Sequence, residues 1–251
     1  MRPFVRIVLP AALSGALLAG CGTDSTTSPL DLNTASQTPT ALTKSEPAVP
    51  DPADFVAEID NPFLSFARGR VFRYAGETAD GLETILVEVT GANRTVLGVS
   101  TTVVHDRAYL DGELIEDTYD WYAQDKDGNV WYFGEDSRQI ENNQVVGTEG
   151  SWEAGVDGAE PGILMPAEPR IGLRYRQEYA AGVAEDMAQV RSLSKTVEIP
   201  YGIFAGCLET AEWTPLEPGA RESKFYAPGV GMLLELQRRG GGSRVELIAI
   251  E

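Results

Sequence analysis

Four side chains in one stretch have the types that proton transfer or cation binding needs: His105, Asp106, Asp117 and Asp120. A carboxyl beside a histidine or a second carboxyl can act as a general acid or base once its pKa is displaced. The four flank Asp111-Gly112, a hairpin signal that puts them on two antiparallel strands, Val104–Leu110 and Glu113–Gln124. A two-residue turn sets Arg107 against Glu116 and Asp106 against Asp117, whereas a three-residue loop sets His105 against Asp117 and Asp106 against Glu116. Either register gathers acids and His105 on adjacent strands. A solvated sheet face is the plainer reading and the one preferred. His105 is the only histidine, so a multi-histidine metal centre is excluded, and no Ser-His-Asp motif stands out. Neither a Walker-type loop nor a dinucleotide fingerprint is present, and Gly240-Gly241-Gly242 reads as a hairpin tip; no cofactor is expected.

A second set is aromatic: Trp121, Tyr122, Trp131, Tyr132 and Trp152. Four of them lie on the arms of a hairpin around Asp125-Lys126-Asp127-Gly128. A type I turn closed by a left-handed glycine gives a three-residue loop, with Trp121 opposite Phe133 and Ala123 opposite Trp131. The same loop has some calcium-loop character, but it lacks the third acidic position and the distal bidentate glutamate, and turn chemistry accounts for each residue. No metal is expected there. Together with Met165 and Leu164, the aromatic set is the candidate ligand-binding surface, a pocket between the hairpin and the stretch from Gly147 to Gly172.

The elements that must position these residues read as strands. From Asp54 to Glu251 apolar residues recur with a period of two between glycine or proline turns. Asp54–Ile59 is expected to form a helical turn, and strands are expected near Arg70–Tyr74, Thr84–Val89 and Thr95–Val104, the last two joined at Gly91-Ala92-Asn93. Gly147–Gly172 has little periodicity but is too apolar for disorder, so a packed loop acting as a lid is expected. Ala184–Leu193 has helical spacing at Met187, Val190 and Leu193, yet its continuation alternates, so the run is read as β. Ile203, Ala205, Cys207, Ala211 and Trp213 make an apolar strand row in which Cys207 is a small buried hydrophobe. About a dozen strands in sequence order imply an all-β antiparallel meander curled into a barrel or half-barrel, which protects its edges.

The chain has 251 residues, 43% hydrophobic and 23% charged, enough for one large domain. Its formal charge is −18, and from Cys21 onward it is −20. Phosphates would be repelled, which argues against nucleic acid and against adsorption of the folded body to anionic lipid. Met1–Gly20 has a short basic start (Arg2, Arg6) and an apolar run from Ile7 to Leu18, too short to span a bilayer and flanked like an export signal. Gly22–Pro52 has 16 Ser, Thr or Pro among 31 residues and no aromatic residue. It cannot bury enough apolar surface to order itself, and as a flexible coil it spans about 30 Å. The chain therefore divides into a signal (1–20), a disordered tether (21–53) and one β domain (54–251).

The ending Leu18-Ala19-Gly20-Cys21 resembles the lipobox of bacterial lipoproteins. That resemblance implies cleavage before Cys21, diacylation of its sulfur and acylation of the new N-terminus, so that Cys21 becomes the membrane anchor. Gly22 in place of aspartate after the cysteine implies, in a cell with two membranes, the outer membrane or cell surface. With Cys21 lipidated, Cys207 is the only cysteine left, and no intrachain disulfide forms. In the body, Tyr201-Gly202-Ile203-Phe204, Tyr226-Ala227-Pro228-Gly229-Val230-Gly231 and the Asp120–Glu135 hairpin resemble motifs of secreted bacterial β proteins, which are similar to half-barrel envelope lipoproteins, some of them lipid-carrying. The expectation is a lipid-anchored protein of the bacterial cell envelope whose body binds a hydrophobic small molecule or an envelope protein. The rivals are a hydrolase using two of Asp106, Asp117 and Asp120, and a purely structural envelope protein.

Overall fold

The computed structural model describes residues 51–237 and 242–251; Cys21, the signal, nearly all of the tether and most of the Gly240-Gly241-Gly242 tip lie outside the described residues. A 3-10 turn at Pro52–Asp54 and three two-residue strands, β1 (Phe55–Val56), β2 (Asp60–Asn61) and β3 (Leu64–Ser65), lead in. A first meander follows: β4 (Val71–Glu77), β5 (Leu82–Val96), β6 (Val99–Leu110), β7 (Glu113–Asp125), β8 (Val130–Glu141) and β9 (Gln144–Gly147). Four short strands come next, β10 (Trp152–Glu153), β11 (Glu160–Met165), β12 (Arg174–Arg176) and β13 (Glu178–Tyr179). The second meander is β14 (Met187–Ile199), β15 (Gly202–Trp213), β16 (Glu222–Ala227), β17 (Gly231–Gln237) and β18 (Ser243–Ile250).

The all-β expectation holds. One sheet runs β12-β14-β15-β16-β17-β18-β4-β5-β6-β7-β8-β11-β13, so the last strand pairs with β4 and the two meanders join side by side. Its two edges are β12 and β13, which are consecutive in the chain and separated only by Gln177. One short segment therefore straddles the seam: its first half pairs with β14 and its second half with β11. That wraps the sheet into a nearly closed barrel, which removes most of the free edge such a long sheet would otherwise expose. Gln177 itself is fully buried.

Several local expectations are corrected. Asp54–Ile59 is not a helical turn; the single 3-10 turn ends at Asp54, capped by the Asp51 side chain, and strand β1 follows. Gly91-Ala92-Asn93 does not break a strand. β5 runs through it with a change of register between Val89 and Asn93, and the hairpin turns at Leu97-Gly98, with φ of 48° and 81°. Gly147–Gly172 is not a structureless lid, because β10 pairs with Glu135 and Gly134 and β11 with Tyr132 and Trp131, extending the sheet. The Ile203–Trp213 row is not continuously apolar. A register change between the Lys195–Cys207 and Val197–Phe204 pairs leaves Ile203 at 71% exposure while Cys207 is fully buried. Ala184–Leu193 is strand-like as expected, with a bridge at Ala180–Ala184 before β14 begins.

Candidate functional site

The hairpin of β7 and β8 has the expected turn. Gly128 has a φ of 94° and its N–H donates to the Asp125 carbonyl, and Ala123 lies opposite Trp131. The Asp125 carboxylate accepts from Asn129 N, Asn129 Nδ2 and Trp131 Nε1, each at 2.8 Å, so turn and indole occupy it. Between Asp120 and Tyr122 the register slips by one residue, and Asp120 faces Glu135 where a regular ladder would pair Trp121 with Phe133.

The six residues expected to line a pocket are all in the wall of the barrel. Tyr122 and Tyr132 are fully buried and stacked at 4.7 Å, and Trp152 packs edge-on to Tyr132 at 5.4 Å. Met165 is fully buried, Trp121 is buried under the Arg94 guanidinium at 4.1 Å, and Trp131 is half-buried against Phe55. Trp152 Nε1 donates to Glu178 at 3.0 Å. The Tyr132 hydroxyl lies 2.7 Å from Asp120 and 3.1 Å from Glu135; it has one proton to donate, so it serves one carboxylate at a time.

The acids around Asp111-Gly112 divide between the two faces. Asp111-Gly112 is a two-residue turn, but a bulge at Ile115 shifts the ladder, so Arg107 faces Asp117, Asp106 faces Thr118 and His105 faces Tyr119. Neither expected register survives beyond the bulge. His105 and Asp117 are on the outer face, where Nε2 and the carboxylate meet at 2.5 Å and the ring stacks on Tyr119. Asp106, Glu116 and Asp120 are on the inner face and buried. Of the three acids in the hydrolase reading, the sheet sets Asp117 apart on the outer face and keeps Asp106 and Asp120 together on the inner one, where both are closed off from solvent.

The inner face is unusually acidic for a barrel interior. Glu83, Asp106, Glu116, Asp120, Glu135, Glu178, Glu212 and Glu235 are all buried. Lys224, 1% exposed, is the one buried lysine or arginine among the described residues. Its Nζ lies 3.1 Å from Glu212, 3.1 Å from Glu222 and 3.8 Å from Glu235. Burial alone would lower the lysine pKa, but the three glutamates overcome it and hold the ammonium charged. Burial, and then the neighbouring Glu222, push Glu235 well above the usual carboxylate range. Across the barrel, burial followed by repulsion from Glu116 raises Glu83 to about 8. Burial also raises Asp106, with Asp120, Glu116 and Glu83 adding to it. Among the described residues no group of three His, Cys, Asp or Glu side chains could hold a metal ion.

A pH dependence follows. Glu83 has an ordinary pKa of 4.5 and a folded value of about 8, so the folded state keeps a proton that the unfolded chain releases. The stabilisation is complete below pH 4.5 and is lost as pH rises towards 8, at up to about 1.4 kcal/mol per pH unit for each such group. The melting temperature is expected to rise on acidification from pH 8 to pH 5.5, and Glu83→Gln to flatten that rise. A melting temperature that falls over this range would contradict the assignment.

The opposite face of the second meander carries an open cleft of about 590 Å³. The registers place Arg174, Gln189, Ala211 and Ser223 in one row across β12, β14, β15 and β16. Ala211 and Ser223 are short and form the floor, and Arg191, Glu209, Trp213, Arg221 and Glu222 complete the lining. Arg191 is the extra residue of a bulge between the paired Val190 and Ser192. The Arg221 guanidinium lies 4.9 Å from the centre of the Trp213 ring. Cys207, on the same strand, has its thiol raised by burial and is not a candidate nucleophile. Sequence reading did not single out the cleft. Its arginines are spread over 48 positions, and only the cross-strand registers bring them together.

The fold is thus that of an all-β, nearly closed antiparallel barrel, and no described helix is long and apolar enough to cross a membrane. No protein-family model matches the chain, and no curated protein does. Among solved structures it is similar to a Bacteroides fragilis protein classed as exported, with a YmcC-like fold, at 16% identity and a TM-score of 0.44, over 75% of this chain and 98% of that one. A Parabacteroides distasonis protein classed as a lipoprotein matches at 12% identity and a TM-score of 0.37, over 76% of this chain and 100% of that one.

Proposed function

We propose that the protein is a lipid-anchored component of the bacterial cell envelope whose β-barrel body binds a ligand. The observation that carries the anchoring is the sequence Leu18-Ala19-Gly20-Cys21 at the end of a short apolar run with a basic start. Acylation of the Cys21 sulfur and amino group supplies several chains, which hold a protein firmly where one chain does so marginally. Residues 1–20 are the signal, 21–53 the tether and 54–251 the body, which the tether lets stand clear of the bilayer. The anchor points to the outer membrane or the cell surface where two membranes are present.

A binding role for the body is supported by the contrast between its two faces. Trp121, Tyr122, Tyr132, Trp152 and Met165 are buried in the barrel wall, where they hold the fold, and Trp131 is partly exposed at its edge. The cleft on the β12–β16 face is a concave surface open to solvent. Cys21→Ser removes the acyl acceptor. In a host that processes lipoproteins, the wild-type protein is expected in the membrane pellet and resistant to salt washing, and the variant in the soluble exported fraction. Equal membrane retention of both would refute the anchor.

A further inference from the structure

We infer that the β12–β16 cleft is a site for a small, water-soluble phosphate ester, and by charge one that carries a diphosphate. The inference rests on the binding role proposed for the body and names its site and ligand class; it does not depend on the anchor.

The argument begins with charge. The chain has 38 acidic residues against 20 Lys and Arg, so an arginine on its surface has carboxylates in excess to pair with. Elsewhere on the barrel most described arginines pair, Arg73 with Glu251, Arg94 with Glu153, Arg107 with Glu88, Arg138 with Asp136, Arg176 with Glu160 and Arg244 with Glu246, while Arg68 and Arg70 bond instead to the Gly91 carbonyl and Asn93 and to the Phe72 ring. Arg174, Arg191 and Arg221 are exposed, line one cleft, and form no ion pair among the described residues. The two acids of the lining are engaged by lysines, Glu209 with Lys195 at 3.1 Å and Glu222 with Lys224 at 3.1 Å. Three guanidinium groups without an ion pair therefore face one hollow, whose two acids already have lysine partners.

Geometry narrows the ligand. A cleft of about 590 Å³ is within the range of small-molecule sites, roughly 300–1,000 Å³. The row from Arg174 to Ser223 spans three inter-strand spacings, about 14 Å, and Arg221, two residues before Ser223 and over the Trp213 ring, lines the cleft at the far end of that row from Arg174. Guanidinium groups match phosphate oxygens with paired donors. Three such groups suit a diphosphate, which carries about that charge near neutral pH, better than a single carboxylate. Gln189 Oε1 accepts from Arg191 Nη1 at 3.0 Å and holds that guanidinium in the row, Ser223 adds a neutral donor, and Trp213, already under a guanidinium, offers a flat apolar wall for the organic part of the ester. A phosphorylated membrane surface is the poorer fit. Docking there would bring the whole strongly acidic body against anionic lipid, whereas a small ligand in the cleft meets the local field within a screening length of about 8 Å.

The test is calorimetric titration of the full-length chain in a neutral detergent with inorganic pyrophosphate, alongside mass spectrometry of ligands that co-purify with it. Saturable binding to the wild-type protein is expected, with at least a tenfold loss in Arg174→Ala/Arg221→Ala and partial retention in Arg174→Lys/Arg221→Lys. Because all three arginines are exposed, the variants should melt cooperatively at the wild-type temperature, which separates lost binding from lost folding. No saturable binding, undiminished binding in the double alanine variant, or binding only to vesicles containing phosphatidic acid would each overturn the inference. If a ligand without phosphate co-purifies while pyrophosphate fails, the inference falls and the binding role stands. If no ligand of any kind is found and pyrophosphate fails, both fall.

Discussion

Lys224→Met is expected to destabilise the protein by about 3–5 kcal/mol, the range found when one partner of a buried ion cluster is removed and the other charges stay. The ammonium is 1% exposed and sits among Glu212, Glu222 and Glu235. Methionine keeps an unbranched side chain one atom shorter and removes the charge, so those carboxyls lose their common counter-ion and must repel or take up protons. Denaturant unfolding at pH 7.5 reads the loss directly. The deficit is expected to shrink at pH 5, where protonated carboxyls no longer need the cation. A further change of Glu212 and Glu235 to glutamine should recover part of it at pH 7.5, because the repulsion goes with the charges. A Lys224→Met protein as stable as wild type at pH 7.5 would show that the cluster is not held by this lysine.

Gly162→Ala is expected to cost about 2–4 kcal/mol through steric conflict at the barrel seam, towards the upper end of what overpacking does. A Cβ at this position would lie 2.3 Å from the Gln177 carbonyl oxygen, 2.4 Å from its carbon and 2.7 Å from the Arg176 oxygen. All three are backbone atoms, so no side chain can swing away to make room. Gln177 is the residue that joins the two edges of the sheet. The added methyl therefore pushes on the single segment that closes the barrel. Amide hydrogen exchange should show early loss of protection in β11, β12 and β13, ahead of β5 and β6. Uniform loss across all strands, or none, would contradict a locally closed seam.

Much of this architecture is legible in the chain because strand periodicity is local. β7 and β15 through β18 fall close to where alternation and glycine or proline turns put them, and the Asp125–Gly128 turn declares itself by residue type. The misses have physical causes. Leu97-Gly98 turns with a non-glycine residue at positive φ, which only the pairing of β5 and β6 imposes, while Gly91 looks like a turn and is absorbed into a bulge. β10 is two residues long and β11 is buried on successive residues without alternation, so neither shows a period, and both become strands by pairing with β8. One bulge at Ile115 set Asp117 opposite Arg107 instead of Asp106, because a one-residue slip exchanges partners along the rest of a hairpin. Trp121, Tyr122, Trp131 and Tyr132 fall on the hairpin as their spacing implies, and all but the half-buried Trp131 are buried in the wall. The arginine cleft leaves no trace in sequence, since Arg174, Arg191 and Arg221 meet only through three strand pairings.

Intact-mass and N-terminal fragment analysis of the protein extracted with detergent from bacterial membranes addresses the proposed location most directly. The expected species begins at Cys21, lacks Met1–Gly20, and carries a thioether-linked diacylglycerol with a further acyl group on the new amino terminus. An unmodified polypeptide that keeps Met1–Gly20 and is recovered from the cytosol would contradict it.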